Sequence, residues 1–240
     1  MKDNPSSFSK FKTVGILGGM GPYASLSFLQ EILNKTPANR DSDHLRIILD
    51  SNPHIPSRTR AVLYGEESPL QGMIDSCLQL CNYPVDFIVL PCNSASAWID
   101  ELRKYISVPI LNIIEITAKK VSQCIPTPAK IAVWGGRVTW QKESYRKYIE
   151  NIKDITYIQH SEENQNQIEA FIERIKLNKI DQGLINEINS LAKYFLNTLE
   201  VNCIILGCTE FGCIPKDAYD FSYINSLSVY AEEVVRYAKL

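Results

Sequence analysis

Two cysteines stand directly after apolar segments that have the pattern of buried β-strands. Cys92 follows residues 86–91 and Cys208 follows residues 201–207, and in both cases a hydroxyl-bearing residue and a predicted helical segment come soon afterwards. Open α/β sheets bind their ligands at the carboxyl ends of the strands. The positions of Cys92 and Cys208 therefore predict two thiols at one site, built symmetrically from two halves of the chain.

The chemistry of such a thiol depends on its ionised form. A helix N-terminus stabilises a thiolate, which can remove a proton or attack carbon. A single cysteine of this kind is more often a buried structural residue, and a nucleophilic cysteine would need a histidine partner, for which His44, His54 and His160 are not obviously placed. Two thiols facing one carbon atom instead suit proton removal from one face and proton return to the other, as in an amino-acid racemase that works without a cofactor.

The other cysteines favour packing over chemistry. Cys77 and Cys81 are spaced i, i+4 on a predicted helix, and Cys203 lies inside a predicted strand, where a free cysteine behaves as a small apolar residue. Seven cysteines, an odd number, do not indicate a disulfide framework. Reduced cysteines are typical of the cytoplasm, which is the predicted location. The chain has no C-x-x-C pair and its histidines are isolated, so no metal site is predicted.

Composition excludes several other classes of protein. The 240 residues are 45% hydrophobic and 22% charged, with a net charge of −2 and no clustered basic face, so no nucleic-acid partner is expected. No apolar run approaches the roughly 18–20 residues that span a bilayer, which argues against a membrane protein. Residues 1–12 lack the apolar segment of a secretory signal, and we expect them to form a loosely ordered lead-in.

Strand and helix patterns alternate along the whole chain. This βαβ pattern predicts an α/β fold with parallel sheets covered by helices. The order strand, Gly-rich turn, helix, and later strand, cysteine, helix occurs once from residue 13 and again from residue 130, which indicates an internal duplication of architecture. Among the predicted helices, one covers residues 95–105 and another residues 142–149.

The Gly-rich turn at residues 18–22 allows three interpretations. Gly19-x-Gly21-x-x-Ala24 matches the dinucleotide-binding fingerprint, but Asp50, the acidic residue that ends the second strand, lies further along than the roughly 20 residues expected. A tight turn between strand and helix would by itself explain the glycines. We favour a third interpretation, in which backbone N–H groups of Gly19, Met20 and Gly21 bind a small carboxylate.

Four segments together resemble the aspartate/glutamate racemase family, and most closely its cofactor-independent aspartate racemases. They occur in the family's order and are spread over most of the chain: Gly15-Ile16-Leu17-Gly18-Gly19-Met20-Gly21-Pro22, Asn52-Pro53-His54-Ile55-Pro56-Ser57-Arg58-Thr59, Pro91-Cys92-Asn93-Ser94-Ala95 and Leu206-Gly207-Cys208-Thr209-Glu210.

This resemblance implies two similar parallel-sheet α/β domains related by a pseudo-twofold axis, with the active site in the interdomain cleft. We expect a first domain at residues 1–113, a second at 114–225, and a C-terminal helix at about 226–240 that packs back on the first. The resemblance also implies a homodimer and no cofactor.

The resemblance further implies a role for particular residues. Cys92 and Cys208 match the family's acid/base thiols, and the residues that match its substrate-binding positions are Asn52, Arg58, Asn93, Ser94, Lys176 and Thr209. Lys176 could equally be a solvated surface charge, because its local motif is short. Arg58 lies in a Pro-stiffened loop, where its planar guanidinium suits a carboxylate.

Three segments depart from the family's pattern. Ser96 stands where family members usually carry histidine, Gly135-Gly136-Arg137 replaces a T-x-G-T turn, and Asn225 begins a terminal segment that often carries a histidine. Arg137 could add a carboxylate contact or solvate the rim of the site.

The predicted function is racemisation of aspartate or glutamate by two-thiol proton transfer. The alternatives are a broad-specificity racemase, a dicarboxylate isomerase or decarboxylase, and a non-catalytic dicarboxylate binder.

Overall fold

The computed structural model describes residues 11–240, so the prediction of a loosely ordered lead-in at residues 1–12 falls almost entirely outside the described part. The first half of the chain forms β1 (Val14–Gly18), α1 (Pro22–Lys35), β2 (Ile47–Ser51), α2 (Arg58–Tyr64), α3 (Leu70–Cys81), β3 (Phe87–Val89), α4 (Ile99–Leu102), β4 (Ile110–Leu111) and α5 (Ile113–Cys124). The second half forms β5 (Ala129–Gly135), α6 (Arg137–Gln141), α7 (Arg146–Ile149), β6 (Ile155–Ile158), α8 (Glu162–Lys176), α9 (Gln182–Asn197), β7 (Cys203–Gly207), β8 (Tyr223–Asn225) and α10 (Ser226–Ala238).

The strands form two four-stranded parallel sheets with the same strand order. The first sheet is ordered β2-β1-β3-β4 and the second β6-β5-β7-β8, so β3 and β7 hold equivalent positions. Both are buried along their whole length, as parallel strands covered by helices must be. The predicted α/β fold of two similar parallel sheets is confirmed.

Short polar side chains begin several of the helices. Asn112, Ser161, Asp181 and Asn225 each stand one residue before a helix, and the side-chain oxygen of each accepts a hydrogen bond from a backbone N–H of the first turn. Such a cap satisfies a donor that the helix itself leaves unpaired. The polar residues between the apolar segments therefore fix where these helices start.

One hydrophobic cluster joins the two halves of the molecule. It contains side chains of both sheets together with α1, α5 and α10, whereas two further clusters lie on the outer faces of the first and the second sheet. Within it α10 packs against α1, where Tyr230 stacks on Phe28 with 5.2 Å between ring centroids. The domain limits at residues 113 and 225 remain predictions. No helix in residues 11–240 is long and apolar enough to cross a membrane.

Two predicted helices are wrong in detail. Residues 94–98 form a 3₁₀ helix followed by the short α4, in place of one helix over 95–105. Residues 142–149 are helical only in α7, because Glu143 adopts a left-handed backbone (φ 45°) that ends the preceding turn. The carboxylate of Glu143 pairs with Arg146, so the break is stabilised by an interaction that spacing alone does not reveal.

Candidate active site

A cavity of about 380 Å³ lies where the carboxyl ends of the two sheets face each other. Its lining includes residues that follow the inner strands of both sheets: Met20 after β1, Cys92 after β3, Gly136 after β5 and Cys208 after β7. The cavity therefore occupies the position at which α/β sheets bind ligands. Both cysteines predicted from the sequence line it, and both are free thiols.

Cys208 has a carboxylate directly beside it. Its Sγ donates a hydrogen bond to Oε2 of Glu210 at 2.9 Å, and Glu210 is 4% exposed. Burial raises the pKa of Cys208 well above its usual range, the charge of Glu210 raises it further, and Lys176 acts in the opposite direction. The structure therefore holds Cys208 as a thiol at neutral pH.

A hydrogen bond connects the two cysteine loops. The hydroxyl of Thr209, the residue after Cys208, donates to the carbonyl of Pro91, the residue before Cys92, at 3.0 Å. The five-residue segments that follow, 94–98 and 209–213, are 3₁₀ helices and not α-helices. The predicted helical segments after the cysteines are therefore short 3₁₀ helices, and their short row of aligned peptide units gives a weaker dipole at each thiol than a long α-helix would.

Three basic side chains line the cavity: Arg58, Arg60 and Lys176. Nη1 of Arg58 donates to the carbonyls of Ile55 and Pro56, whereas its buried Nε has no hydrogen-bond partner. A buried guanidinium N–H without an acceptor is costly. Because Arg58 lines the cavity, its guanidinium is a candidate to bind a carboxylate there. Arg60 is instead paired with Glu66 on the surface.

Lys176 lines the cavity and lies close to the acidic side chains of Glu173 and Glu210. Its Nζ bonds Glu173 at 2.7 Å, and its side chain is 44% exposed. Desolvation disfavours its charge, but Cys208, Glu173 and Glu210 outweigh that effect and raise the pKa of Lys176 above its usual value. Lys176 therefore stays protonated while it faces the cavity.

The side chain of Arg137 bonds other groups of the protein and is not placed to bind a substrate. Its backbone N–H and Nε donate to the carboxylate of Glu169 at 3.0 and 2.9 Å, and its guanidinium stacks over Trp140. Arg137 is also absent from the cavity lining, which Glu169 does reach. This departure from the family pattern therefore anchors α6 to α8.

The remaining predicted residues divide between the cavity and the turn behind it. Asn93, Ser94 and Thr209 line the cavity with Met20, whereas Gly21 lines a smaller adjoining pocket. Gly19 and Asn52 lie outside both linings. The N–H of Gly19 donates to Ser25, and the amide of Asn52 bonds Ser76 and the N–H of His54.

The glycines of this turn have a clear steric reason. Gly19 has φ +86°, and a Cβ on it would lie 2.4 Å from the backbone carbon of Asn52. The tight-turn interpretation therefore accounts for Gly19 without a ligand.

No histidine lines the cavity. His160, the most buried of the three, bonds Gln165 at 3.0 Å, and burial lowers its pKa. Within residues 11–240 no group of three or more His, Cys, Asp or Glu side chains is arranged to hold a metal ion.

The two similar parallel sheets with a cavity at their carboxyl ends define an α/β class of enzyme-like fold, and the comparison with known proteins identifies the family. A family model described as Asp/Glu/hydantoin racemase matches residues 17–233. The chain therefore belongs to this racemase family and is an enzyme of the isomerase class.

Individual relatives agree with this assignment. The chain is 30% identical over 207 residues to the broad specificity amino-acid racemase RacX of Bacillus subtilis, covering 84% of this chain and 86% of RacX. It is 25% identical over 158 residues to glutamate racemase of Staphylococcus aureus, covering 65% and 57% of the two chains. The fold is similar to Picrophilus torridus aspartate racemase, with a TM-score of 0.78 at 24% identity over 95% of this chain and 100% of that one.

Sequence reasoning missed three residues that contact the predicted site. Glu210 lies in the segment Leu206–Glu210 that resembles the family, but the sequence assigns no role to its side chain. The sequence likewise assigns no role to Tyr145 or Ser226. A buried carboxylate two residues after a candidate thiol is a detectable signal for Glu210. Tyr145 bonds Asn93 across 52 residues of sequence, and no local pattern predicts that contact.

Proposed function

We propose that the protein racemises aspartate, or a closely related acidic amino acid such as glutamate, by proton transfer between Cys92, Cys208 and Cα without a cofactor. The single observation that carries this proposal is that two free thiols, from equivalent strands of two similar sheets, line one cavity. A general acid and a general base on opposite sides of Cα are what inversion requires.

The proton balance needs one thiolate and one thiol at the start. The thiolate removes the Cα proton and becomes a thiol, while the other thiol gives its proton to the opposite face of the carbanion and becomes a thiolate. The hydrogen bond of Cys208 to Glu210 favours Cys208 as the initial thiol and hence Cys92 as the initial base. Proton exchange with water then restores the starting pair.

Arg58 and Lys176 support an acidic substrate. The guanidinium of Arg58, which lines the cavity, can bind the α-carboxylate, where negative charge builds up as the proton leaves. Lys176, charged and beside Cys208, is available for the side-chain carboxylate. The N–H of Gly19 is already bonded to Ser25, so carboxylate binding by the Gly-rich turn rests on Met20 and Gly21.

A broader substrate range is the second candidate. Glu169 and Glu173 line the cavity beside the basic residues, so its charge is mixed and not uniformly positive. The relative with 30% identity carries a broad-specificity name. A site of this kind would accept neutral amino acids as well as aspartate.

Hydrogen exchange in deuterated water tests the proposal. L-Aspartate, L-glutamate, L-alanine and L-serine are incubated singly with the protein, and loss of the Cα–H signal is followed together with the appearance of the D enantiomer. We expect aspartate to exchange fastest without any added cofactor. Comparable rates for all four would favour the broad-specificity candidate.

Cysteine variants test the roles of the thiols. Cys92→Ala and Cys208→Ala should each abolish inversion, because each face of Cα needs its own proton donor or acceptor. Cys203→Ala is the matched control, since Cys203 is a buried thiol of β7 outside the cavity whose pKa burial raises to about 11. Full racemisation by Cys92→Ala or Cys208→Ala would exclude the two-thiol mechanism, and binding of aspartate without exchange would favour a binding protein.

The family resemblance also leads us to propose a cytoplasmic homodimer. Sedimentation velocity on the purified chain measures its state of association directly.

A further inference from the structure

Tyr145 is the centre of a buried polar cluster beside the cavity. Its hydroxyl donates to Oδ1 of Asn93 at 2.5 Å, Nδ2 of Asn93 donates to Ser226 at 3.1 Å, and Ser226 donates to the carbonyl of Leu206 at 2.8 Å. Tyr145 and Ser226 are 0% exposed and Asn93 is 3% exposed. The cluster connects the residue after Cys92 to the second sheet and to the start of α10.

The backbone carbonyl of Leu206 determines which group donates and which accepts in each hydrogen bond of this cluster. A carbonyl only accepts, so the Ser226 hydroxyl gives its proton to Leu206 and must accept from Asn93. Nδ2 of Asn93 therefore faces Ser226, Oδ1 faces Tyr145, and the Tyr145 hydroxyl must donate. Thr117, also beside the phenol, has its own proton committed to the carbonyl of Ile113 at 2.7 Å.

This arrangement leaves Asn93 with one N–H for a ligand. An amide nitrogen carries two protons, and Asn93 Nδ2 uses one of them to bond Ser226. Asn93 also lines the cavity next to Cys92. If the amide rotated by half a turn, an oxygen would face the cavity instead, and it would repel a carboxylate.

We propose that Tyr145 is a positioning residue that fixes the Asn93 amide with an N–H toward the substrate carboxylate. The inference rests on the proposed function for the identity of the substrate. Tyr145 acts from the second half of the chain on a residue of the first half, so the correct orientation of Asn93 exists only when the two halves are packed together. Phenylalanine at position 145 keeps the ring packed against Gly207 and removes only the hydroxyl.

A double-mutant cycle measures whether Tyr145 acts through Asn93. Tyr145→Phe should lower kcat/KM about fivefold to tenfold, the effect of one lost hydrogen bond. In the Asn93→Ala background the same substitution should change kcat/KM by less than about twofold, because the amide that it orients is gone. Equal effects in both backgrounds would overturn the proposal. Tyr219→Phe is the matched control, since Tyr219 is a buried tyrosine that donates to a backbone carbonyl at 2.7 Å outside the cavity.

A second measurement does not depend on activity. In protein labelled with ¹⁵N-asparagine, the side-chain amide signals of Asn93 are assigned by their loss in Asn93→Ala, and the proton bonded to Ser226 should exchange slowly with water. In Tyr145→Phe this proton should exchange at least about tenfold faster, whereas Tyr219→Phe should leave its exchange unchanged. Unchanged exchange in a folded Tyr145→Phe protein would refute the positioning role. If the wild type racemises no amino acid but shows this difference, the proposed function fails while the orientation of Asn93 by Tyr145 stands.

Discussion

Replacing Glu210 by glutamine removes one negative charge next to Cys208 with little change in volume. The thiol now donates to the carboxylate at 2.9 Å, and Glu210 is buried. After burial, the charge of Glu210 is the largest contribution that raises the pKa of Cys208. The Glu210→Gln substitution should therefore lower that pKa and increase the thiolate fraction of Cys208 at neutral pH.

The size of the effect can be bounded from the geometry. Two unit charges about 4 Å apart at an effective dielectric constant of about 20 repel each other by about 4 kcal/mol, which corresponds to about a thousandfold change in the ionisation equilibrium. Water that reaches the half-buried Cys208 reduces this upper bound. We expect the alkylation rate of Cys208 at pH 7 to rise at least tenfold, roughly a hundredth of that bound.

Iodoacetamide labelling followed by peptide mass spectrometry measures each cysteine separately. The rate for Cys208 should rise in Glu210→Gln, and the midpoint of its pH dependence should move to lower pH, while the exposed Cys124 serves as an internal standard. Glu173→Gln is the matched control, because Glu173 lines the same cavity but bonds Lys176 and not Cys208. An unchanged Cys208 rate in folded Glu210→Gln protein would refute the view that Glu210 holds Cys208 as a thiol.

Two further substitutions test recognition and the turn. Arg58→Lys keeps the charge but loses the planar donor group, so kcat/KM for aspartate should fall about tenfold to a hundredfold, the cost of a charge-assisted hydrogen bond; wild-type kinetics would mean that Arg58 does not bind the substrate. Gly19→Ala should lower the free energy of unfolding by about 2 kcal/mol or more, because alanine is strained at positive φ and its Cβ would clash with the backbone of Asn52. Urea denaturation measures this loss, and an unchanged midpoint would contradict the steric argument.

The parts of the fold that local sequence determines were predictable. Apolar segments bounded by polar and Gly-rich residues mark β1, β3, β5 and β7. Cys92, three residues after β3, and Cys208, directly after β7, lie at the cavity as expected. Parallel strands buried on both faces leave continuous apolar runs in the sequence. The duplication of architecture also followed from a pattern that occurs twice in the chain, whereas the order of the strands within each sheet is known only from the structure.

The missed details depend on side-chain contacts that compete with a regular helix. The 3₁₀ helix at residues 94–98 includes Ser96, whose hydroxyl bonds Asn112 across 16 residues. The break before α7 is stabilised by the pairing of Glu143 with Arg146. Both segments have the residue spacing of a helix. A side-chain contact nevertheless stabilises a different local structure, and residue spacing alone does not show which of the two is more stable.

The two thiols occupy equivalent strands, yet their neighbours differ. Asn93 and Ser94 follow Cys92, whereas Thr209 and Glu210 follow Cys208. The enantiomers of an amino acid have equal free energies in water, so a racemase must have the same kcat/KM in both directions, however unequal its two halves become. An unequal site can therefore bind one enantiomer more tightly only by converting it proportionately more slowly. The carboxylate of Glu210 would thus change which enantiomer occupies the enzyme at equilibrium and leave the composition of the free mixture unchanged.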